Sequence, residues 1–111
     1  MAYDEILEQR IRDVLNELNV PDYLGKRMFG GVGFMLQGNM ACGVLKDALI
    51  LRVGVDRYEK ALAWPHAKPF DTTGRPMKGW VMISSEGCES NESLKDFVQY
   101  GVDIALSLPP K

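Results

Sequence analysis

Apolar residues recur along the N-terminal stretch at Ile6, Leu7, Ile11, Val14, Leu15 and Leu18, a spacing that gathers side chains on one face of a helix with a period near 3.6. This predicts a first helix from Asp4 to Leu18. Asn19-Val20-Pro21-Asp22 ends it, because proline has no amide to donate and pushes the residue before it out of helical geometry. After Tyr23-Leu24-Gly25, which reads as a brief turn, the period falls to two. The glycine-rich run Arg27-Met28-Phe29-Gly30-Gly31-Val32-Gly33-Phe34 leads into Leu36. Met40, Cys42 and Val44, then Leu49, Leu51 and Val53, alternate with small or polar neighbours, so three strands follow one another. Gly38-Asn39 and Lys46-Asp47 stand between them as two-residue turns, since Gly and Asn tolerate positive φ.

A second helix is expected from Asp56, whose side chain would cap it while Glu59 returns the hydrogen bond. Tyr58, Ala61 and Leu62 would face inward, and Pro65 stops the helix after Trp64. The stretch from Pro65 to Gly79 holds three prolines and two glycines; it reads as a long loop in which Lys68-Pro69-Phe70-Asp71 forms a short edge strand. Trp80 to Ser84 is a compact apolar strand. Ser90 or Asn91 then caps a third helix with a stripe of Leu94, Phe97, Val98, Gly101, Ala105 and Leu108. Gly101 would let that helix approach the sheet closely, and Pro109-Pro110 ends it. The order α-β-β-β-α-β-β-α over residues 1–111 predicts one α+β domain in two layers, a five-stranded antiparallel sheet with helices on one face. The opposite sheet face then needs a cover, either another protein or a second copy in a homodimer.

The net charge of −2 disfavours a domain that wraps nucleic acid through phosphate contacts alone. Between Lys26 and Trp80, however, nine Lys/Arg stand against four Asp/Glu, and the flanks hold the acidic excess. Such asymmetry steers a partner or a second copy. The first residues lack the basic and apolar regions of a signal peptide, and no apolar run approaches the ~20 residues of a membrane span; a cytoplasmic location is expected. Cys42 and Cys88 read as reduced, packed thiols.

Catalytic chemistry finds little to use. His66 is the single histidine, it lies in a proline-bounded loop, and no GxSxG elbow accompanies it; an enzyme would have to combine it with Cys42 or Cys88. The two cysteines and His66 are dispersed, without the spacing of a metal site, and no cofactor is expected. Gly31-Val32-Gly33-Phe34-Met35-Leu36 lacks the third glycine of G-x-G-x-x-G and continues into a strand, so Gly30, Gly31 and Gly33 read as a bulge or a close backbone approach. Arg52 interrupts an apolar strand and would project from the face opposite Leu49, Leu51 and Val53. Lys68, Phe70, Arg75, Met77, Lys78 and Trp80 mix cationic and large apolar groups, a composition that suits protein interfaces and single-stranded nucleic acid.

Taken together, RMFGGVGF, DALILRVG followed by VDRY, and KPF, GRPMKGW and VMI resemble the N-terminal domain of the TfoX/Sxy regulators of bacterial competence, over roughly Tyr23 to Ile83. The resemblance implies a fold like that of secretion chaperones. It also implies a role in switching on DNA-uptake genes as an accessory to the cyclic-AMP receptor protein. Full-length members carry a second, helical domain, so a chain ending at Lys111 is expected to be a stand-alone form. The motif positions are Lys26, Arg27, Met28, Phe29, Gly30, Gly31, Phe70, Gly74, Met77 and Trp80. The expected function is a non-enzymatic regulatory protein-interaction module in transcriptional control of competence-type genes. The alternative is a weak DNA-binding domain using segment 26–80, which requires Lys26, Arg27, Arg52, Lys68, Arg75 and Lys78 on one surface.

Overall fold

The computed structural model describes residues 3–20, 22–28, 30–71 and 77–110. Helix α1 runs Glu5–Glu17, and Asp4 caps it by accepting the amides of Ile6 and Leu7, both at 3.0 Å. Leu7, Ile11, Val14 and Leu15 form its buried stripe. Ile6, expected on that stripe, is 75% exposed, because it stands about 100° around the helix from Leu7.

The strands that follow are β1 (Leu24–Met28), β2 (Gly31–Leu36), β3 (Asn39–Leu45) and β4 (Ala48–Arg52), each antiparallel to the next. The glycine-rich run is therefore two strands and not one, and Leu24-Gly25 belongs to β1 instead of a turn. Gly30, at φ 78°, reverses the chain between them, a conformation that costs glycine nothing. The sheet consequently has six strands, one more than the five expected. The β2–β3 turn is Gln37-Gly38, both with positive φ, one residue earlier than the expected Gly38-Asn39. Asn39 is instead buried in β3, and its side-chain amide donates to the Pro109 carbonyl at 3.0 Å. The expected irregularity at the glycines falls elsewhere: the β2–β3 register shifts between Phe34 and Met35, with Ala41 as the extra residue.

Gly54, at φ 84°, turns the chain out of β4 into a 3-10 turn, Val55–Arg57, and then α2, Tyr58–Leu62. That early start places Asp56 inside the turn, so the expected Asp56–Glu59 capping box does not form and no side chain caps α2. Tyr58 and Ala61 are buried as anticipated. The edge strand β5 spans Ala67–Pro69 and pairs with β6, Trp80–Ile83, giving the order β1-β2-β3-β4-β6-β5. Helix α3 runs Asn91–Ser107, with Ser90 as the cap accepting from the Ser93 amide at 3.0 Å.

Every helix packs on one face of this open antiparallel sheet. Val32, Phe34, Cys42, Val44, Leu49, Leu51, Val81 and Ile83 meet Leu7, Ile11, Leu15, Tyr58, Ala61, Leu94, Val98 and Ala105 in one cluster. Gly101 sets the spacing: a Cβ there would lie 2.5 Å from the Ala41 carbonyl oxygen and 2.9 Å from Leu51 Cδ1. No helix among the described residues is long and apolar enough to cross a membrane.

Candidate interaction surface

Strand side chains alternate between faces, so the pairing register assigns those on the face away from the helices. One transverse row crosses all six strands: Lys26, Gly33, Gly43, Ile50, Met82, Lys68. A second row runs beside it through Leu24, Met35 and Met40, then Arg52 and Trp80. The two central glycines make the first row low, and the bulky second row leans over it so that Gly33, Gly43 and Ile50 are buried; the face is a shallow trough filled by its own methionines, with a lysine at each end. Ile50 is only 2% exposed yet stands outside the main core cluster. It belongs to this second face, where Met40 Cε comes within 2.9 Å of the place a Gly43 Cβ would take.

Arg52 is the polar centre of the face. Its guanidinium carbon stands 4.8 Å from the Trp80 ring centre, and Nη1 donates to the Met40 carbonyl at 3.2 Å. Phe70, buried, completes the line with its ring centre 6.5 Å from that of Trp80. Burial lowers the Arg52 pKa from its ordinary value, since desolvation disfavours the charged form. No carboxylate among the described residues lies within ion-pair distance of Arg52. None of its nitrogens is both buried and unpartnered, so its remaining N–H donors open to solvent.

Of the anticipated residues, the fold gathers Arg52, Trp80 and Phe70 at one spot, and it puts Lys26 and Lys68 on the same face at opposite sheet edges. Arg27 pairs with Val32 and so takes the helix-side face, where its charge acts on Tyr3 and Glu8. The single basic surface expected of Lys26 and Arg27 together does not form, because adjacent strand residues point opposite ways. Gly30 is the β1–β2 turn, and Gly31 sits against the Val44 carbonyl; the close backbone approach expected of the glycines is made at Gly31 by the neighbouring strand β3. Met28 pairs with Gly31 at the end of β1. Met77, 44% exposed, and Lys78 precede β6, with the Met77 amide donating to the Phe70 carbonyl at 3.1 Å. Phe29, Gly74 and Arg75 lie outside the described residues.

The TfoX N-terminal domain matches residues 15–105, a span that includes both rows of the trough. The chain belongs to the TfoX N-terminal domain family. No curated protein and no solved structure matches the chain. Membership places this TfoX N-terminal domain among regulatory domains associated with competence.

Two features of the domain escape a reading of its sequence. Trp64 packs with its ring centre 5.7 Å from Phe97 and 5.5 Å from Tyr100, while Arg57 Nη1 donates to the Tyr100 hydroxyl at 3.3 Å. Arg57, Lys60, Trp64 and Tyr100 line a groove of about 350 Å³. Spacing along α3 places Phe97 and Tyr100 one turn apart, but nothing in the sequence brings Trp64 to them. The trough methionines were also missed: Met35 and Met82 alternate with the core residues Phe34, Leu36, Val81 and Ile83, whereas Met40, expected in one row with Cys42 and Val44, is turned to the opposite face by the irregularity at Ala41.

The cysteines are free and buried, and burial pushes the Cys42 thiol up to about 12 and the Cys88 thiol up to about 11. Neither supplies a thiolate at neutral pH. His66 is exposed at φ 67°. Among the described residues no group of three or more His, Cys, Asp or Glu could hold a metal ion.

Proposed function

We propose that the chain is a non-enzymatic regulatory module that acts in transcriptional control of competence-type genes by binding another protein through the trough of its sheet. The observation that carries this reading is Arg52, a half-buried cation stacked on Trp80 without a carboxylate partner, at the centre of a face rich in methionine. A guanidinium held on an aromatic ring with N–H donors open to solvent can take a carboxylate from a partner, and methionine-rich surfaces re-pack readily against partners. Family membership supports the regulatory setting. In the host, Arg52→Glu is expected to lower transcription of DNA-uptake genes at unchanged protein abundance. Normal transcript levels with abundant variant protein would count against the reading.

Direct nucleic-acid binding is a second reading, favoured by Lys26, Arg52 and Lys68 sharing one face. Fluorescence anisotropy with duplex DNA tests it: affinity must fall steeply with salt. Absence of binding at low ionic strength removes it.

A further inference from the structure

The two layers of the molecule differ in charge. Helices α1 and α3 carry seven carboxylates against three basic side chains. The trough has Lys26, Arg52 and Lys68 and, among the described strand positions facing that way, no carboxylate; Asp22 enters only at the corner groove beside Leu24 and Lys26. Lys26 and Lys68 stand on the first and last strands, five inter-strand steps apart, roughly 24 Å at the usual strand spacing. A helix of about 16 residues has that length.

We propose that the trough receives an acidic amphipathic helix of a partner protein, laid across the strands. Its carboxylates meet Lys26, Arg52 and Lys68, and its aliphatic side chains rest on the half-buried Met35, Met40 and Met82. This inference rests on the reading of the trough as a protein-binding face and names the chemistry of what binds. The fork of N–H donors on a guanidinium suits a carboxylate, and the stacking on Trp80 holds Arg52 in place for it.

A second copy fits less well. A two-fold pairing of troughs sets like cations into one interface, and their repulsion opposes it. Docking of one copy's acidic helices into the next copy's trough is a head-to-tail contact, which builds rings or open chains and not a simple pair. Nucleic acid also fits less well: Arg52 already stacks on the Trp80 ring and competes with a base for it, and three cations over such a span make a weak phosphate track.

The test selects binders to the full chain from a random library of peptides about 16 residues long and maps the selected synthetic peptides by backbone amide shifts. Peptides rich in Asp and Glu, with apolar residues at helical spacing, are expected to perturb Gly43, Ile50, Arg52 and Met82. Arg52→Gln should weaken them at least tenfold, with partial recovery in Arg52→Lys. Lys26 and Lys68 are exposed, so the double variant Lys26→Glu, Lys68→Glu keeps the core intact. It should lose the acidic peptides and gain binding of a charge-reversed lysine version. Neutral or basic peptides mapping to the trough overturn the acidic-partner inference and leave the interaction reading standing. Peptides mapping elsewhere, or none enriched, overturn both. Self-association that protects the trough amides, or a labelled oligothymidylate displacing the peptide there, assigns the face to a second copy or to nucleic acid and overturns the inference.

Discussion

Glu8 ties the N-terminal helix to the sheet edge. It accepts from Arg12 Nη2 at 2.8 Å and from the Tyr3 hydroxyl at 2.8 Å, while Arg12 lies 5.1 Å from the Phe34 ring centre. The Arg12 hydrogen bond is the main cause that lowers the Glu8 pKa below its ordinary 4.5. A carboxylate with a depressed folded pKa stabilises the fold above its unfolded value and loses that contribution as pH falls through the folded one. The difference in urea midpoint between the wild type and Glu8→Gln should therefore be largest near neutral pH and shrink below pH 4.5. Cys42 runs the opposite way: its thiol is raised from 9.0 to about 12, so stability conferred by the buried neutral thiol is lost as pH rises above 9. Disulfide-exchange reagents at pH 8 should label Cys42 no faster than the protein unfolds, which a stopped-flow measurement in the presence and absence of urea will show. This cluster could be read only in part: Arg12 stands one turn along the helix from Glu8, but Phe34 and Gly25 are brought to Arg12 by the fold.

Gly101 shows how an element is placed by a missing side chain. Alanine is the better helix former by about 1 kcal/mol, yet a Cβ at Gly101 meets the Ala41 carbonyl oxygen, which cannot move without shifting β3. Gly101→Ala should thus lower stability by about 2 kcal/mol in chemical denaturation, the usual cost of overpacking. At Gly25 the added Cβ meets Arg12 Nη2, the free end of a flexible side chain; Gly25→Ala should cost well under half as much. Ser90→Ala, which removes the acceptor of the Ser93 amide, should cost about 1 kcal/mol. Element boundaries were legible where a cap or proline marks them, as at Asp4, Ser90 and Leu108-Pro109. They were misread at Leu24–Gly31, where glycines compatible with both a bulge and a turn left the choice to pairing with β2.

Across the whole molecule the acidic helices lie on one side and the trough cations on the other, so the first consequence of charge is orientation. Charge reversal at Lys26 and Lys68, both at exposed edge positions, should leave the thermal midpoint nearly unchanged, because isolated surface charges contribute little to stability. A large drop in calorimetry would mean that these lysines support the fold itself. The basic middle of the chain was legible as a charge count. Its division between two faces was not, since Lys26 and Arg27 are neighbours in sequence and face opposite ways in β1.

Periodicity by itself determined the fold class, the number of helices and the apolar rows that make the core, because burial follows directly from side-chain spacing in helices and strands. The tertiary structure alone decided that Gly30 is a turn and that the sheet has six strands. It also set Gly33 and Gly43 in one row with Ile50 between two lysines, and held Arg52 on Trp80 across a strand pair. Those relations join residues far apart in the chain, and the energy that selects them is the packing of whole elements, which no local pattern contains.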